Sequence, residues 1–401
     1  MKAWKLAPLA AALTSATAFA VEPVGMGLGN GLTLLPSVDV NVENNDNVYL
    51  QADGNEVEST ITRIAPALSL IGDMGAIQWN ANYRAEQGTY SKDEDDDYLD
   101  QNIKVAAGFE VNARNQIDVN AAFNSAHDAR GAGALEGAAA LDVLAEPDQY
   151  EETTAGVQYT FGADSAFANI VASADTYQKR YDDNKQQDGS TIDNSDRDYD
   201  KVTALVGAQL NLSPATKAVF EISQASISYD ANDDDAREGD NLKILAGMSW
   251  DITGKTTGEV KLGSATRDFK NSDEDSTTRL SWSANLTWEP MTYSSVALYS
   301  AQSNNETATV GSYIANTYTQ VSWDHSFSTF VSAGIEASRS ADTYVGASRE
   351  DETVSYGLNV TYSPKAWMDV KASFNQADRD STDNDLDYAG QVVNLGITLA
   401  L

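Results

Sequence analysis

The chain has 401 residues, 60 acidic side chains against 26 basic ones, a formal net charge of -34 and no cysteine. So large an acidic excess excludes nucleic acid and anionic lipid headgroups as partners for the surface as a whole. The lack of cysteine removes disulfides, thiolate zinc sites, a cysteine nucleophile and a lipoprotein anchor in one step.

Lys2 and Lys5 precede an apolar run over 6–13, and Ala18-Phe19-Ala20 supplies a small-x-small cleavage site. Residues 1–20 therefore read as a cleaved secretory signal, too short in its apolar core to span a bilayer. Residues 21–30 read as a Gly-rich periplasmic lead-in, and 31–401 as one domain. No later stretch is long and apolar enough for a transmembrane helix.

From residue 31 onward, segments alternate apolar and polar side chains, the period of a strand with different solvents on its two faces. They fall near 31–46, 57–71, 76–90, 98–111, 116–127, 149–161, 166–180, 196–211, 217–230, 239–251, 256–270, 277–288, 292–303, 312–324, 327–340, 351–362, 366–379 and 387–401. Leu280, Trp282, Ala284, Leu286 and Trp288 face one way, and Ser281, Ser283, Asn285 and Thr287 the other. About 18 strands result, with about 16 as the alternative count, within the range of an all-β transmembrane antiparallel barrel. A β-sandwich also alternates, so period alone does not decide.

Three features favour the barrel. Connections largely alternate between short turns, such as Asn112-Ala113-Arg114-Asn115 and Ser363-Pro364-Lys365, and long acidic loops over 91–97, 181–194, 231–237 and 271–275. Short periplasmic turns and long extracellular loops are the barrel pattern. Aromatic residues collect at strand ends: Trp79, Trp250, Trp288, Trp323 and Trp367 near short turns, and Tyr90, Tyr98, Tyr150, Tyr181, Tyr199, Tyr229 and Tyr388 beside long loops. This predicts two lipid-facing girdles. The third feature is a non-lipid face too polar for a dry core: Arg63, Arg84, Lys104, Glu110, Asp118, Glu221, Lys243, Glu259, Lys261, Arg267, Glu336, Asp369 and Lys371. Charges of both signs at that density need water or mutual pairing, which predicts that they line an aqueous lumen.

The last strand keeps its apolar set to the final residue. Asn394, Gly396, Leu399 and Leu401 fit a polar-x-Gly-x-x-apolar-x-apolar pattern that resembles the insertion signal of bacterial outer-membrane barrels. Its expected partner is the first strand, closing the sheet. Barrel assembly machinery and outer-membrane lipid follow as expected partners.

The opening strand, Gly31-Leu32-Thr33-Leu34-Leu35-Pro36-Ser37-Val38-Asp39-Val40, then Asn44-Asn45-Asp46-Asn47-Val48-Tyr49, together with Ile64-Ala65-Pro66-Ala67-Leu68, His127-Asp128-Ala129-Arg130-Gly131 and Pro147, resembles the outer-membrane β-barrel family encoded beside exopolysaccharide and capsule biosynthesis genes. The resemblance implies a porin-like channel exporting a biofilm- or capsule-type polysaccharide, served by periplasmic or inner-membrane machinery. The residue pattern itself implies only a wide barrel.

Residues 131–148 are Ala- and Leu-rich rather than acidic. A short helix over 134–146, with Leu135, Ala138, Leu141 and Ala145 on one face, is expected either as an inward constriction or as a cap on the rim. The Asp clusters at 93–97, 233–235 and 273–275 lack EF-hand spacing and read as a solvated acidic rim, with no metal or cofactor expected. Lys243, Lys261, Glu221 and Glu259 are expected to neutralise one another across neighbouring strands. His127 lies at a loop, and His325 in an expected turn beside Asp324 and Ser326; adjacency in sequence makes no catalytic triad, so no enzyme is expected. The alternatives to polysaccharide export are a general ion or small-solute porin and a polysaccharide-binding adhesin with a closed lumen.

Overall fold

The computed structural model describes residues 25–163, 166–230, 236–252, 254–270 and 276–401. The expected signal 1–20, the Asp clusters at 233–235 and 273–275, the whole of the loop 271–275 and part of the loop 231–237 lie outside the described residues.

Among the described residues, eighteen long strands follow one another round the barrel. They are β1 Leu32–Asn45, β2 Ser59–Asp73, β3 Ile77–Tyr90, β4 Tyr98–Asn112, β5 Asn115–Asp128, β6 Asp148–Phe161, β7 Ala168–Tyr181, β8 Tyr199–Ser213 and β9 Thr216–Tyr229. The circuit continues with β10 Gly239–Ile252, β11 Thr256–Phe269, β12 Thr277–Met291, β13 Ser294–Asn305, β14 Tyr313–Ser326, β15 Val331–Val345, β16 Glu350–Lys365, β17 Met368–Ser381 and β18 Tyr388–Ala400. Each pairs antiparallel with its neighbours, and β18 returns to β1 in register from Ser37 with Ala400 to Asn45 with Val392. The sheet is a closed antiparallel 18-stranded barrel. In hydrocarbon every backbone N–H and C=O needs an internal partner, and closure supplies it without an edge.

A short arm, Met26–Gly29, folds back on β1 through Asn30 and Gly31, both at positive φ (52° and 78°). Only glycine fits at 31, where a Cβ would stand 2.0 Å from the Asp73 carbonyl oxygen.

Period two decides what each face meets. Val40 and Val42, Ile64 and Leu68, Phe220 and Ile222, and Leu395 and Ile397 are all exposed on the outer surface. So continuous an apolar band is tolerated only where lipid covers it. Trp79, Trp250, Trp288 and Trp323 share the parity of these outward residues near the short turns, as the sequence predicts for the lower girdle. The tyrosine girdle is corrected: Tyr90, Tyr98, Tyr150, Tyr181, Tyr199, Tyr229 and Tyr388 all have inward parity, and Tyr90 and Tyr229 are buried. A strand end locates the membrane interface, but only parity selects the face.

His325 is also displaced from its expected turn. It lies within β14, paired in register with Ser294 and Ala333, and its ring contacts Phe327 at 4.6 Å and Trp323 at 5.4 Å. Asp324, one position earlier, has the opposite parity, which separates the two groups across the wall.

Candidate functional site: the lumen wall and its extracellular mouth

On the wall formed by β18 and β1–β4 the inward charges make one connected chain. Arg63 forks onto Glu43, and its Nε donates to the Tyr98 hydroxyl at 2.9 Å. The Tyr98 hydroxyl donates to Glu86 at 2.9 Å, and Arg84 joins Glu86 at 2.9 Å to Asp39. Asp39 accepts from Thr398 at 2.7 Å, so the chain crosses the seam where the barrel closes. Charge-assisted and forked contacts of this kind fix side chains that water alone would leave mobile.

A second cluster lies on β9–β11, round the circuit from the first. Lys261 reaches Glu221 at 2.9 Å and Glu259 at 3.0 Å. Lys243 stands on the same inner face, between Ser223 and Ala265 in register. Lys104 lies on β4, in register with Asn82, and is exposed on the inner face. Glu110 and Asp118 lie near the periplasmic rim, where Gln116 Nε2 donates to both Asp118 oxygens at 2.9 Å. Glu336 accepts from Gln320, Lys371 sits between Thr361 and Gly396, and Asp369 is fully buried in the wall beside Thr398. Arg267 departs from the open lumen: it is 1% exposed, packed beneath the loop that carries Glu306, and bonds it at 3.2 and 3.3 Å. In the terminal strand Asn394 and Gly396 face inward, while Leu399 and Leu401 stay exposed.

The extracellular mouth holds what the sequence pattern did not show. Residues 129–147 leave β5, cross the mouth and return to β6, carrying the helix α1 Gly137–Val143. Three attachments hold this cap. At its start, Arg130 is buried; its Nε and Nη2 donate to Asp96 at 2.6 and 2.8 Å, and Nη2 also reaches Asp93 and the Tyr49 hydroxyl. In its middle, Glu136 is gripped by Arg349 and Arg379, both from the far side of the seam, with contacts of 3.0 Å from each. At its end, the Ala145 N–H donates to the Lys185 carbonyl at 2.9 Å, and the Glu146 carboxylate meets Lys185 Nζ at 3.1 Å. Leu141 packs on a cluster of Val48, Tyr49, Ile61 and Tyr90. The segment is thus a cap tethered across the mouth, and its helix is shorter than the expected 134–146.

The cluster at 93–97 is corrected in part by the same contacts. It is wound into a short turn in which Glu94, Asp95 and Asp97 stay exposed as expected, while Asp96, 2% exposed, and the half-buried Asp93 close on Arg130. Burial pulls the Arg130 guanidinium down, but its hydrogen bonds to Asp96 and Asp93 outweigh that and hold it above its ordinary value. The hydrogen bond from Arg130 in turn lowers the Asp93 carboxyl. Burial and the bond to Asp96 push the Tyr49 phenol up. The cation serving these carboxylates is therefore an arginine. Among the described residues no group of three or more His, Asp or Glu side chains gathers in a metal-binding arrangement.

Five inward tyrosines gather inside the mouth as one pair and one run of three. Tyr150 and Tyr181 lie 5.5 Å apart, Tyr177 and Tyr199 5.5 Å, and Tyr199 and Tyr229 5.6 Å. Cations cover them: Lys179 over Tyr150 at 3.7 Å, Arg197 over Tyr181 at 3.6 Å and Arg237 over Tyr229 at 4.0 Å. Their hydroxyls meet carboxylates, Tyr177 at Glu152 (2.6 Å) and Tyr229 at Glu306 (3.0 Å). Tilted stacking and cation–π contact together order these rings. The sequence reading missed Asp39, Glu43 and Glu86, although they share inward parity with their arginine partners. It had no periodic signal for Arg130, Glu136, Arg349 or Glu306, which lie in loops.

No curated protein matches the chain. Among solved structures it is similar to Pseudomonas aeruginosa OccK3 (OpdO), at 11% identity over 92% of this chain and 95% of that one, with a TM-score of 0.47. It is also similar to Acinetobacter baumannii OccAB4 (10%, 92% and 98%, 0.48) and to a variant of the FrpB iron transporter from Neisseria meningitidis (10%, 94% and 83%, 0.48). The family model described as "Putative beta-barrel porin 2" matches residues 19–401. The chain belongs to that family of outer-membrane β-barrel porins.

Proposed function

We propose that this porin is a gated outer-membrane passage for an exopolysaccharide, which leaves through the lumen when the cap over 129–147 lifts. The observation that carries the reading is the cap itself: it is tethered across the mouth by ion pairs at Arg130 and Glu136, and the wall of the same mouth carries tyrosines and carboxylates suited to a hydroxyl-rich chain. Such a chain exchanges its water contacts for hydroxyl, carboxylate and amide contacts on the wall at little net cost. The pore does no chemistry. Its partners in this reading are the polymer and the periplasmic machinery that delivers it.

A small-solute porin is the second reading, favoured by the family description. The adhesin reading loses ground because the loop residues Tyr49, Glu306 and Arg349 turn inward onto the mouth rather than outward. The test exploits the absence of natural cysteine. Glu136→Cys and Arg349→Cys are introduced together and bridged with a short thiol crosslinker in proteoliposomes loaded with labelled polysaccharide fragments. Efflux that stops on bridging and resumes when a cleavable bridge is cut supports the passage. Fragments retained in both states, with ions still crossing, point to the small-solute porin.

A further inference from the structure

The inner wall near the periplasmic rim carries a niche of about 270 Å³, separate from the mouth and its cap. Its floor is Ala106 and Gly108 on β4, where the wall has almost no side-chain bulk. The frame is polar: Asn80 is in register with Ala106, Gln78 with Gly108, Gly108 with Asp118, and Glu110 with Gln116. Ile71, in register with Asn80, is 42% exposed and offers an apolar platform at one side. Asp118 is held in place by the Gln116 amide, and a Cβ on Gly108 would come within 3.0 Å of its Oδ1. Carboxylates line the niche at Asp73, Glu110 and Asp118, and none of its lining residues is a lysine or arginine.

We infer that this niche is a binding subsite for one non-anionic sugar ring, positioned where a chain enters the lumen from the periplasm. Amides and carboxylates accept and donate to hydroxyls around a ring edge, while Ile71 and the Ala106–Gly108 floor meet its C–H face. The volume lies just below the roughly 300 Å³ at which pockets for larger ligands begin, which suits one ring rather than several. Three carboxylates without a basic neighbour in the lining repel a uronate or phosphorylated sugar. This inference deepens the proposed passage and rests on it for its biological meaning, but its binding test does not.

The test is isothermal titration of the refolded full chain in detergent with a linear neutral glucose hexamer and with a galacturonate hexamer. Gly108→Leu, which fills the floor, and Gln116→Ala, which releases Asp118 without adding bulk, are measured beside the parent chain, each checked for folding by its heat-modifiable gel mobility. The neutral hexamer is expected to bind the parent, to weaken at least tenfold in Gly108→Leu and severalfold in Gln116→Ala, and to bind at least tenfold more tightly than the galacturonate. No binding of the neutral hexamer, equal binding of both hexamers, or unchanged binding in both folded variants overturns the subsite. Niche-dependent binding with no polymer crossing in the proteoliposomes removes the passage and leaves the niche. Crossing with binding unaltered in the variants does the reverse.

Discussion

Glu136 and Arg349 meet across the mouth, Oε1 accepting from Nη2 at 3.0 Å, although 213 residues separate them in the chain. The pair is largely buried, with side-chain exposures of 12% and 9%, and Arg379 shares the same carboxylate. Removing Glu136 takes charge-assisted hydrogen bonds from the cap, while Arg349 keeps Asp351 at 3.0 Å; such a bond contributes about 1.5–3 kcal/mol, equivalent to roughly a ten- to hundredfold change in an equilibrium. Glu136→Ala is therefore expected to raise the open probability of single channels by about one to two orders of magnitude while the barrel stays folded. An unchanged closed fraction would show that the Glu136 contacts do not hold the cap.

The cap must also seat against the first extracellular loop. Gly131 has φ +92°, and a Cβ there would stand 2.2 Å from the Tyr49 carbonyl oxygen, a backbone atom with little room to retreat. Gly131→Val is expected to strain the seat by about 1–3 kcal/mol. The readout is limited proteolysis of the folded protein: cleavage within 129–147 accelerates while the heat-modifiable barrel band persists.

Lys261 stands between Glu221 and Glu259 on the inner wall. Lys261→Ala leaves two carboxylates facing the lumen without their cation, so cation selectivity should rise. The measurement is the reversal potential in a potassium chloride gradient across a bilayer, using Glu136→Ala as the open background. A shift toward anion selectivity would contradict the assignment of this cluster to the conducting face.

Acid should loosen the cap from its other anchor. The Arg130 hydrogen bond lowers the Asp93 carboxyl in the folded state. A carboxylate with a depressed folded value adds stability that is complete above its unfolded pKa of about 3.9 and is lost as pH falls through the lower folded value. Asp96 and the Tyr49 hydroxyl share the same guanidinium. Open probability should therefore stay flat from about pH 8 to about pH 5 and climb only below about pH 4 on the extracellular side. A rise centred near about pH 6.5 would instead indicate a histidine.

The barrel was legible because its signal repeats: each strand states two solvents every second residue, and a closed sheet is the only way to satisfy its backbone in lipid. Parity also held information that proximity to loops obscured. Tyr90 shares the parity of Arg84 on β3, and Tyr229 that of Glu221 on β9, so both rings face the lumen with those charges. The cap could not be read in the same way. Its Ala-rich helix has a face, but nothing local to 129–147 says that Glu136 will find Arg349 and Arg379, because loops carry no period and the contacts are long-range. The niche at Gly108 was equally hidden, since it is defined by missing side-chain volume rather than by any motif.

The most direct test of the gated passage is single-channel conductance of the refolded mature protein in a planar bilayer, with residues 134–146 present or deleted, titrated with exopolysaccharide fragments from the periplasmic side. A gated passage gives low conductance with the cap, high conductance without it, and block of the open channel by fragments in a concentration-dependent way. A channel equally open in both forms and indifferent to polymer would contradict it and leave a simple diffusion pore.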